Sequence, residues 1–245
     1  MPDENQDKHN LVSSLGAVVL CGGQSSRLGI DKTRLDFQGR TFLEQVVSQV
    51  RQVCRRVVVV GNGDLSFHDL PADVLLARDE AVGKGPLEGI RVGLKQLATA
   101  VDSQKPDDPE SQTAEDRGCE FALVTSCDVP LLKPELIRFL FEQLKGHSAI
   151  VPVQEERIFG MTAIYQTQHH VEIAKRIDAD SLRVSDLASA LGARCIDAES
   201  LRVADSNLDS LTNINSVADY RQLLERLGLT CPTDLAKAIG LSDRE

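Results

Sequence analysis

Short segments made almost wholly of apolar residues recur along this chain, and segments with helical spacing separate them. The apolar runs stand at residues 17–20, 57–60, 121–124 and 149–151. Strands that are apolar throughout are typical of parallel sheets whose two faces are both covered by helices. Residues 41–54 place their apolar side chains three and four positions apart, as an amphipathic helix does. The alternation predicts a three-layer, Rossmann-like α/β fold with a mostly parallel sheet and helices on both faces.

The chain is more polar at its two ends and in one segment near its middle than elsewhere. We expect a disordered tail over residues 1–13, a single domain over 14–230 and a C-terminal extension over 231–245. The first strand is predicted over residues 16–21. Residues 101–118 have almost no apolar content, and we interpret them as a flexible acidic insertion within the domain.

The charge balance excludes some classes of function. The formal net charge is −10, whereas nonspecific nucleic-acid binding needs a basic surface. No apolar run approaches the roughly 18–20 residues that span a bilayer, and the polar residues 1–10 lack the apolar core of a signal peptide. We therefore expect a cytoplasmic protein that binds neither nucleic acid nor membrane. An anionic ligand would need local cations and a divalent metal to overcome the negative field.

A glycine-rich segment follows the first apolar run. Gly22 and Gly23 let the backbone turn sharply, and successive free N–H groups in such a turn form an anion-binding concavity. Arg27 and Lys32 add two positive charges beside it. The segment matches neither G-x-x-x-x-G-K-[ST] nor G-x-G-x-x-G. It predicts a site for a nucleoside triphosphate, and the alternative is a strand-to-helix turn that needs its glycines for geometry alone.

An acidic residue, Asp128, comes shortly after the apolar run 121–124. Ligands of parallel sheets bind at the carboxyl ends of the strands, so this position lies at the expected ligand edge together with the segments that follow residues 21, 61 and 77. A carboxylate is the hard-oxygen ligand that Mg²⁺ prefers. Asp128 therefore predicts a magnesium site, and the alternative is a residue that only opens a turn before Pro130.

The loop that ends at Pro86 carries groups that suit a phosphorylated ligand. Gly85 allows close backbone approach, and Pro86 stands where a helix begins, so free N–H groups face the ligand edge. Asp79 precedes them in the same loop and could contact a ribose or a base. The alternatives are an ordinary helix start and a solvated carboxylate.

A pair of amides stands near the C-terminal end of the domain. Asn213 and Asn215 occupy alternate positions, which share one face of an extended segment. They could bind phosphates directly or a metal through water. The alternative is a helix N-cap, which Asn215 or Ser216 would supply.

No segment of the sequence pairs a nucleophilic side chain with a base in a Ser-His-Asp or Cys-His arrangement. Cys21 and Cys127 are predicted to be small buried residues. A reaction in which a substrate phosphate acts as the nucleophile fits better than hydrolysis through a side chain. Such a reaction needs the protein only to position two anions and to neutralise their charge.

The sequence resembles the molybdenum cofactor guanylyltransferases of the nucleotidyltransferase superfamily. Their opening loop reads L-A-G-G-x-S-x-R-M-G-x-D-K, and residues 20–32 read L-C-G-G-Q-S-S-R-L-G-I-D-K. Their later signatures G-P-L-x-G, C-D-x-P and N-I-N-[ST] are matched by residues 85–89, 127–130 and 213–216. The motifs follow in the family's order over about residues 16–227.

The resemblance implies transfer of GMP from Mg·GTP to the phosphate of the molybdenum–molybdopterin cofactor, with release of pyrophosphate and with Mg²⁺ as cofactor. It also implies transient contact with proteins that deliver or accept that molybdenum cofactor. Carried over, Arg27, Lys32 and Asp128 would be catalytic, and Asp128 would bind the metal. The nucleotide would be bound by Leu20, Cys21, Gly22, Gly23, Lys32, Asn62, Asp79, Gly85 and Asp128. Asn213 and Asn215 would face the phosphate or metal region.

Some positions separate this chain from neighbouring branches and from the family's pattern. Gly22 favours guanine, because the related cytidylyltransferases usually open with L-A-A-G. Asn62 stands two residues later than the family's asparagine, residues 159–162 lack the usual proline, and the basic residues expected near 178–185 are reduced to Arg183. Two alternatives stay open: a cytidylyltransferase acting on the same or a related acceptor, and a non-catalytic nucleotide sensor or adaptor.

Overall fold

The apolar runs of the chain form the strands of a central sheet in the computed structural model, which describes residues 11–22, 35–62, 70–81, 83–99, 118–231 and 235–236. The strands in these ranges are β1 (Val12–Cys21), β2 (Asp36–Phe37), β3 (Arg40–Thr41), β4 (Cys54–Gly61), β5 (Leu75–Arg78), β6 (Phe121–Ser126), β7 (Ala149–Gln154), β8 (Arg157–Ile158), β9 (Ala163–Gln166) and β10 (Arg194–Asp197). The α-helices are α1 (Phe42–Val50), α2 (Pro86–Ala98), α3 (Pro134–Glu142), α4 (His170–Asp178), α5 (Val184–Ala190) and α6 (Val217–Leu227).

The main sheet of the described residues has the strand order β10-β7-β9-β6-β1-β4-β5, with β8 attached to β7. Strand β1 is parallel to both of its neighbours, β4 and β6, and β5 is parallel to β4. Strand β9 is antiparallel to β6 and β7, whereas β10 is again parallel to β7. The sheet is therefore mostly parallel, which confirms the predicted architecture.

The register of the strands aligns their carboxyl ends. Leu20 of β1 lies opposite Val60 of β4 and Ser126 of β6. Gly61 at the end of β4 lies opposite Arg78 at the end of β5. The segments that follow β1, β4, β5 and β6 therefore begin next to one another at the same edge of the sheet, as the sequence predicted.

Helices cover both faces of the sheet because its central strands are apolar on both sides. Along β1, Ala17, Val19 and Cys21 pack into the cluster that contains the apolar residues of α1 and α3. Val18 and Leu20 point the other way, into the cluster formed with α2, α4 and α5. The predicted three layers are confirmed, and the buried position predicted for Cys21 is confirmed with them.

Helix α2 lies directly on β1. A Cβ atom built on Gly93 would lie 2.4 Å from Cγ1 of Val18, so only a glycine lets the helix approach this closely. Pro86 is the first residue of α2, and Gly85 precedes it with φ of 67°, a conformation that favours glycine. The predicted helix start is confirmed, and it stands at the ligand edge of the sheet.

A smaller apolar cluster joins the β2–β3 ladder to α6. It contains Leu35, Phe37 and Phe42 from the first segment and Tyr220 from α6. The Tyr220 hydroxyl donates a hydrogen bond to the carbonyl of Asp36 (2.7 Å). The segment that follows the glycine-rich loop is therefore anchored to the helix that follows the Asn213–Asn215 pair.

Several boundaries differ from the sequence prediction. Strand β1 begins at Val12, so the last two residues assigned to the tail belong to the sheet, where the Val12 N–H donates to the carbonyl of Val53 (2.8 Å). The two-residue strands β2, β3 and β8 were not predicted, because a hydrophobic period cannot be recognised over two positions. Residues 1–10 of the tail, residues 101–117 of the insertion, and 232–234 with 237–245 of the extension lie outside the described residues.

None of the helices in the described ranges is both long enough and apolar enough to cross a membrane.

We predict that Gly93→Ala destabilises the protein. The added methyl group meets the buried side chain of Val18, and overpacking of this kind costs about 1–3 kcal/mol despite the better helix propensity of alanine. Chemical denaturation measures the free energy of unfolding. The control is Gln96→Ala on the exposed side of the same helix, which is expected to change that free energy by less than about 0.5 kcal/mol. Equal stability of the two variants would contradict the close packing of α2 on β1.

Candidate functional site

The candidate residues that the structure describes gather where β1 ends between β4 and β6. Gly23, Arg27 and Lys32 lie outside the described residues, and their roles stay predictions. The others form two groups on either side of the end of β1. One group follows β4 and β5, and the second follows β6.

The end of β1 itself contributes main-chain atoms. The side chains of Leu20 and Cys21 are 7% and 6% exposed, and both pack into the core. The carbonyl of Leu20 accepts a hydrogen bond from the N–H of Cys127 (3.0 Å), which ties β1 to the segment carrying Asp128. Gly22 is the first exposed residue after the strand. A ligand at this position would contact the backbone of residues 20–22. The side chains of Leu20 and Cys21 point into the core and pack beneath that backbone.

Gly22 adjoins the group formed by Asn62 and Asp79. A Cβ atom on Gly22 would lie 3.8 Å from the main-chain nitrogen of Asn62, so the ends of β1 and β4 are in close contact. The Asn62 side chain lies next to the Asp79 carboxylate and lowers its pKa. The two residues were predicted separately, and the sheet brings them together.

Asp79 is a carboxylate with acceptor capacity to spare. Its Oδ1 atom is buried and has no hydrogen-bond partner among the described residues. Burial and the nearby Glu88 carboxylate raise the pKa of Asp79, although the Asn62 hydrogen bond and the charge of Arg91 oppose this rise. A buried acceptor without a partner costs free energy, and a ligand that donates a hydrogen bond to it removes that cost.

Gly85 and Gly89 bring the backbone of α2 close to this group. A Cβ atom on Gly89 would lie 2.9 Å from Cδ2 of Leu20 and 3.4 Å from Oδ1 of Asp79. Gly85 is exposed, and no atom of the described residues would lie within 4 Å of an added Cβ there. The first turn of α2 therefore stands beside Asp79. Pro86 has no N–H and the N–H of Glu88 donates to the carbonyl of Gly85 (3.2 Å), so what this turn offers a ligand is mainly the positive end of the helix dipole.

The second group is centred on Asp128, just beyond β6. Its Oδ1 atom accepts hydrogen bonds from Oγ of Ser126 and from Nδ2 of Asn213 (2.9 Å). Its carbonyl accepts the N–H of Ile214 (2.8 Å). Two segments 85 residues apart in sequence are thus joined at this carboxylate. Of the two predicted amides, Asn213 reaches Asp128.

Asn215 has a different environment. It is exposed, and its main-chain N–H donates to Oδ2 of Asp219 (2.8 Å) in the first turn of α6. Ser216 is the N-cap of α6, and Ser216 with Asp219 forms a capping box. The cap that the sequence offered as an alternative is therefore present at Ser216, and a role of Asn215 toward phosphate or metal stays a prediction.

A network of ion pairs fixes residues 205–211, the segment that precedes Asn213. Lys133, at the start of α3, contacts the buried carboxylate of Asp205 (2.7 Å), and Arg226 of α6 contacts Asp209 (2.8 Å). The Ser210 hydroxyl accepts the main-chain N–H of Lys133 (3.0 Å). Burial would raise the pKa of Asp205, but Lys133 and the Ser210 N–H hold it below its usual value. The network fixes residues 205–211 against α3 and α6.

Two side chains that shape the site were not predicted. Ser126 follows the apolar run 121–124 and received no role from its sequence context, yet β6 extends to it and its hydroxyl donates to the Asp128 carboxylate. Glu88 was read as a variable position of a motif, yet its side chain is 1% exposed. A carboxylate in the first turn of a helix, three residues before Arg91, was the available signal for an ion pair.

The described residues fit a metal ion that arrives with its ligand. No group of three or more His, Cys, Asp or Glu side chains in the described ranges could enclose a metal. Mg²⁺ is commonly held by one or two carboxylates, with phosphate oxygens and water completing the coordination. Asp128 supplies such a carboxylate at the edge where phosphates are expected, so the donor set suits Mg²⁺ carried by a nucleotide.

Comparisons with known proteins agree with this geometry. A protein of Carboxydothermus hydrogenoformans named "Probable molybdenum cofactor guanylyltransferase" is 26% identical over 219 residues, covering 89% of this chain and 99% of its own length. A protein of Methanosarcina mazei with the same name is 27% identical, with coverage of 94% and 100%. The crystal structure of molybdopterin-guanine dinucleotide biosynthesis protein A from Archaeoglobus fulgidus has the same fold, with a TM-score of 0.67, 21% identity and coverage of 87% and 98%.

The family match covers most of the sheet and both groups of the site up to residue 202. Residues 17–202 match the MobA-like NTP transferase domain, which is more than half of the chain. The segment that contains Asn213 and Asn215 follows the matched region. The chain therefore belongs to the MobA-like NTP transferase family and is a nucleotidyltransferase, an enzyme.

Proposed function

We propose that this enzyme transfers GMP from Mg·GTP to the phosphate of the molybdenum–molybdopterin cofactor and releases pyrophosphate. The observation that carries the proposal is the pair of groups at the end of β1, with Asp79 and Asn62 on one side and Asp128 with Asn213 on the other. One group suits a nucleoside and the other suits metal-bound phosphates. The names of the relatives from Carboxydothermus hydrogenoformans and Methanosarcina mazei support the choice of GTP and of the molybdenum cofactor.

The chemistry needs no nucleophile from the protein. An oxygen of the acceptor phosphate attacks the α-phosphorus of GTP and forms a new P–O bond. The bond between that phosphorus and the oxygen bridging to the β-phosphate breaks, and pyrophosphate leaves with the electron pair. The acceptor oxygen is already an anion at neutral pH. The protein lowers the barrier by aligning the two anions and by neutralising the charge that builds on the phosphates.

Each part of the site has a role in this scheme. Asp128 would hold Mg²⁺, which when bound neutralises phosphate charge, and Asn213 keeps the carboxylate oriented by its hydrogen bond. Arg27 and Lys32 would contact the phosphates from the glycine-rich loop. The backbone at Gly22 and the positive end of the α2 dipole would lie beside the nucleotide. Localised cations and N–H donors are needed because the chain as a whole carries a net charge of −10.

Asp79 would select the guanine base. Guanine presents two adjacent donors, its N1–H and its 2-amino group, and one carboxylate can accept both. The buried Oδ1 atom of Asp79 lacks a partner among the described residues, as a carboxylate waiting for a donor would. Cytosine offers one amino donor beside an acceptor nitrogen, so the same carboxylate favours GTP over CTP.

We also propose which part of the chain carries out the reaction and where in the cell the reaction occurs. We assign the reaction to one domain over residues 12–230, which includes all of β1, with the acidic insertion and the C-terminal extension outside the chemistry. The reaction would take place in the cytoplasm, where GTP is available. Transient contacts with proteins that deliver or accept the molybdenum cofactor belong to the same proposal.

Mass spectrometry of reaction products tests the proposed function. The enzyme is incubated with Mg²⁺, molybdopterin-loaded extract and either GTP or CTP. The expected product has the mass of the guanine dinucleotide cofactor and forms together with pyrophosphate. A cytosine dinucleotide as the main product would assign the enzyme to the cytidylyltransferases. Tight GTP binding without any dinucleotide product would identify a sensor or adaptor instead.

Asp128→Asn is expected to lower kcat by about two orders of magnitude, because it removes the charge that would hold the metal on the phosphates. Pyrophosphate release at saturating GTP and Mg²⁺ measures the effect. Asp178→Asn, an exposed aspartate at the end of α4, is the matched control and should leave kcat unchanged. Normal turnover of the Asp128 variant would show that this carboxylate has no part in the reaction.

Lys32→Ala is expected to lower turnover to a similar degree, about a hundredfold, because a positioned cation would be lost from the phosphates. The same assay applies. Lys175→Ala on the surface of α4 removes an equal charge from an exposed side chain paired with Glu172 and serves as control. If both lysine variants turn over at the wild-type rate, the glycine-rich loop does not hold the phosphates as proposed.

The activity should also respond to acid through Asp79. Because the pKa of Asp79 is raised, this group gains its proton at a higher pH than an ordinary aspartate does. Protonation removes the negative acceptor, so kcat/KM for GTP falls as the pH is lowered through that raised pKa. The profile is measured downward from neutral pH for the wild type and for the Asp79 variant. Asp79→Asn should flatten this fall, and identical profiles for the two proteins would contradict a role of Asp79 in binding GTP.

A further inference from the structure

We propose that Glu88 is a positioning residue, which sets the nucleotide selectivity of this enzyme by clamping the main chain that follows Asp79. The inference rests on the proposed function, since it concerns how the same site recognises its nucleotide. Position 88 is the variable position of the G-P-L-x-G motif, so the clamp is a feature of this chain's own sequence.

The Glu88 carboxylate is buried and fully engaged. Its Oε1 atom accepts hydrogen bonds from the main-chain N–H groups of Glu80 (3.1 Å) and Ala81 (3.1 Å). The Arg91 guanidinium donates to both oxygens, with Nη2 2.8 Å from Oε1 and Nε 2.7 Å from Oε2. Arg91 and the two N–H groups together hold the pKa of Glu88 below its usual range against the effect of burial. The carboxylate therefore stays charged inside the protein.

A buried charge at this position needs a reason, because an apolar side chain would avoid the cost of desolvation. The partners of Glu88 supply that reason. Two of its hydrogen bonds come from consecutive N–H groups of the loop between β5 and α2, which has no ladder of its own to satisfy them. The Glu88 side chain thus fixes the main chain of the loop that follows Asp79.

The clamp acts directly on Asp79. The N–H of Glu80 belongs to the peptide unit that joins Asp79 to Glu80, so its bond to Glu88 fixes the main chain from which the Asp79 side chain leaves. The Glu80 side chain is itself paired with Arg91 (2.5 Å) and Lys95 (3.1 Å). Asp79 is therefore held through the main chain that follows it.

The position of the clamp predicts which kinetic constant it controls. Glu88 and Asp79 lie on the β4–β5 side of β1, whereas Asp128 and Asn213 lie on the β6 side. Loss of the clamp should loosen recognition of the nucleoside and leave the reacting phosphates in place. A merely structural residue would lower the amount of folded enzyme without changing the relative rates for two nucleotides.

The experiment compares Glu88→Ala and Glu88→Gln with the wild-type enzyme and with the control Glu172→Gln. Glu172 is an exposed glutamate that is paired with a residue three positions later, Lys175. Glutamine at position 88 keeps one oxygen for the two N–H groups but turns an amide toward Arg91. Steady-state rates are measured with GTP and with ITP, which lacks the 2-amino donor of guanine. Amide hydrogen exchange at Glu80 and Ala81 is measured in the nucleotide-free proteins.

For Glu88→Ala we expect KM for GTP to rise about tenfold while kcat changes less than about threefold, the pattern of lost ground-state recognition. The preference for GTP over ITP, as the ratio of the two kcat/KM values, should fall about tenfold as well. Exchange at Glu80 and Ala81 should become faster. Glu88→Gln should lie between the wild type and the alanine variant, and Glu172→Gln should match the wild type in every measurement.

Two results would overturn the inference while leaving GMP transfer intact: unchanged exchange at Glu80 and Ala81, or faster exchange with an unchanged preference for GTP over ITP. A wild-type enzyme that forms no guanine dinucleotide overturns the proposed function, and the inference with it, before any variant is compared. If Glu88→Ala does not fold, Glu88→Gln carries the same test because it preserves the volume of the side chain.

Discussion

The parallel pairing of β1 between β4 and β6 is the constraint on which the rest of this structure depends. Leu20 lies opposite Val60 and Ser126, so the three strands end at the same level and the loops that follow them begin side by side. The pairing extends one step beyond the ladder, where the N–H of Cys127 donates to the carbonyl of Leu20. Residues that are 40 to more than 100 positions apart in the chain thereby meet at one edge.

The edge is divided by β1 into two chemically different halves. On the β4–β5 side, the half-buried Asp79 lies beside Asn62 and against the first turns of α2. On the β6 side, Asp128 is held by Ser126 and Asn213. The halves differ as the two ends of a nucleoside triphosphate differ, since one end needs hydrogen-bond acceptors for a base and the other needs metal and cations for phosphates. In the proposed function, specificity and chemistry would depend on separate strands of one sheet.

Much of this could be predicted from the sequence because it follows local rules. Uniformly apolar runs predicted the central strands, Pro86 predicted the start of α2, and Asp128 was placed at the ligand edge by its position after β6. What the sequence could not predict depends on contacts between distant segments. The bond from Asn213 to Asp128 spans 85 residues, and the Ser210 hydroxyl meets Lys133 across 77. Glu88 could be recognised in the sequence as part of a motif. Its burial against the loop after Asp79 could not be predicted, because it depends on how α2 packs in the folded protein.

We propose that GTP lies across the end of β1, with its base toward Asp79 and its phosphates toward Asp128. A crystal structure of the enzyme with Mg²⁺ and GTP tests this placement. We expect density for the base beside Asp79 and Asn62, for the triphosphate beside Gly22, and for a metal ion on the Asp128 carboxylate. Nucleotide density at another surface, or a base placed on the Asp128 side of β1, would contradict it.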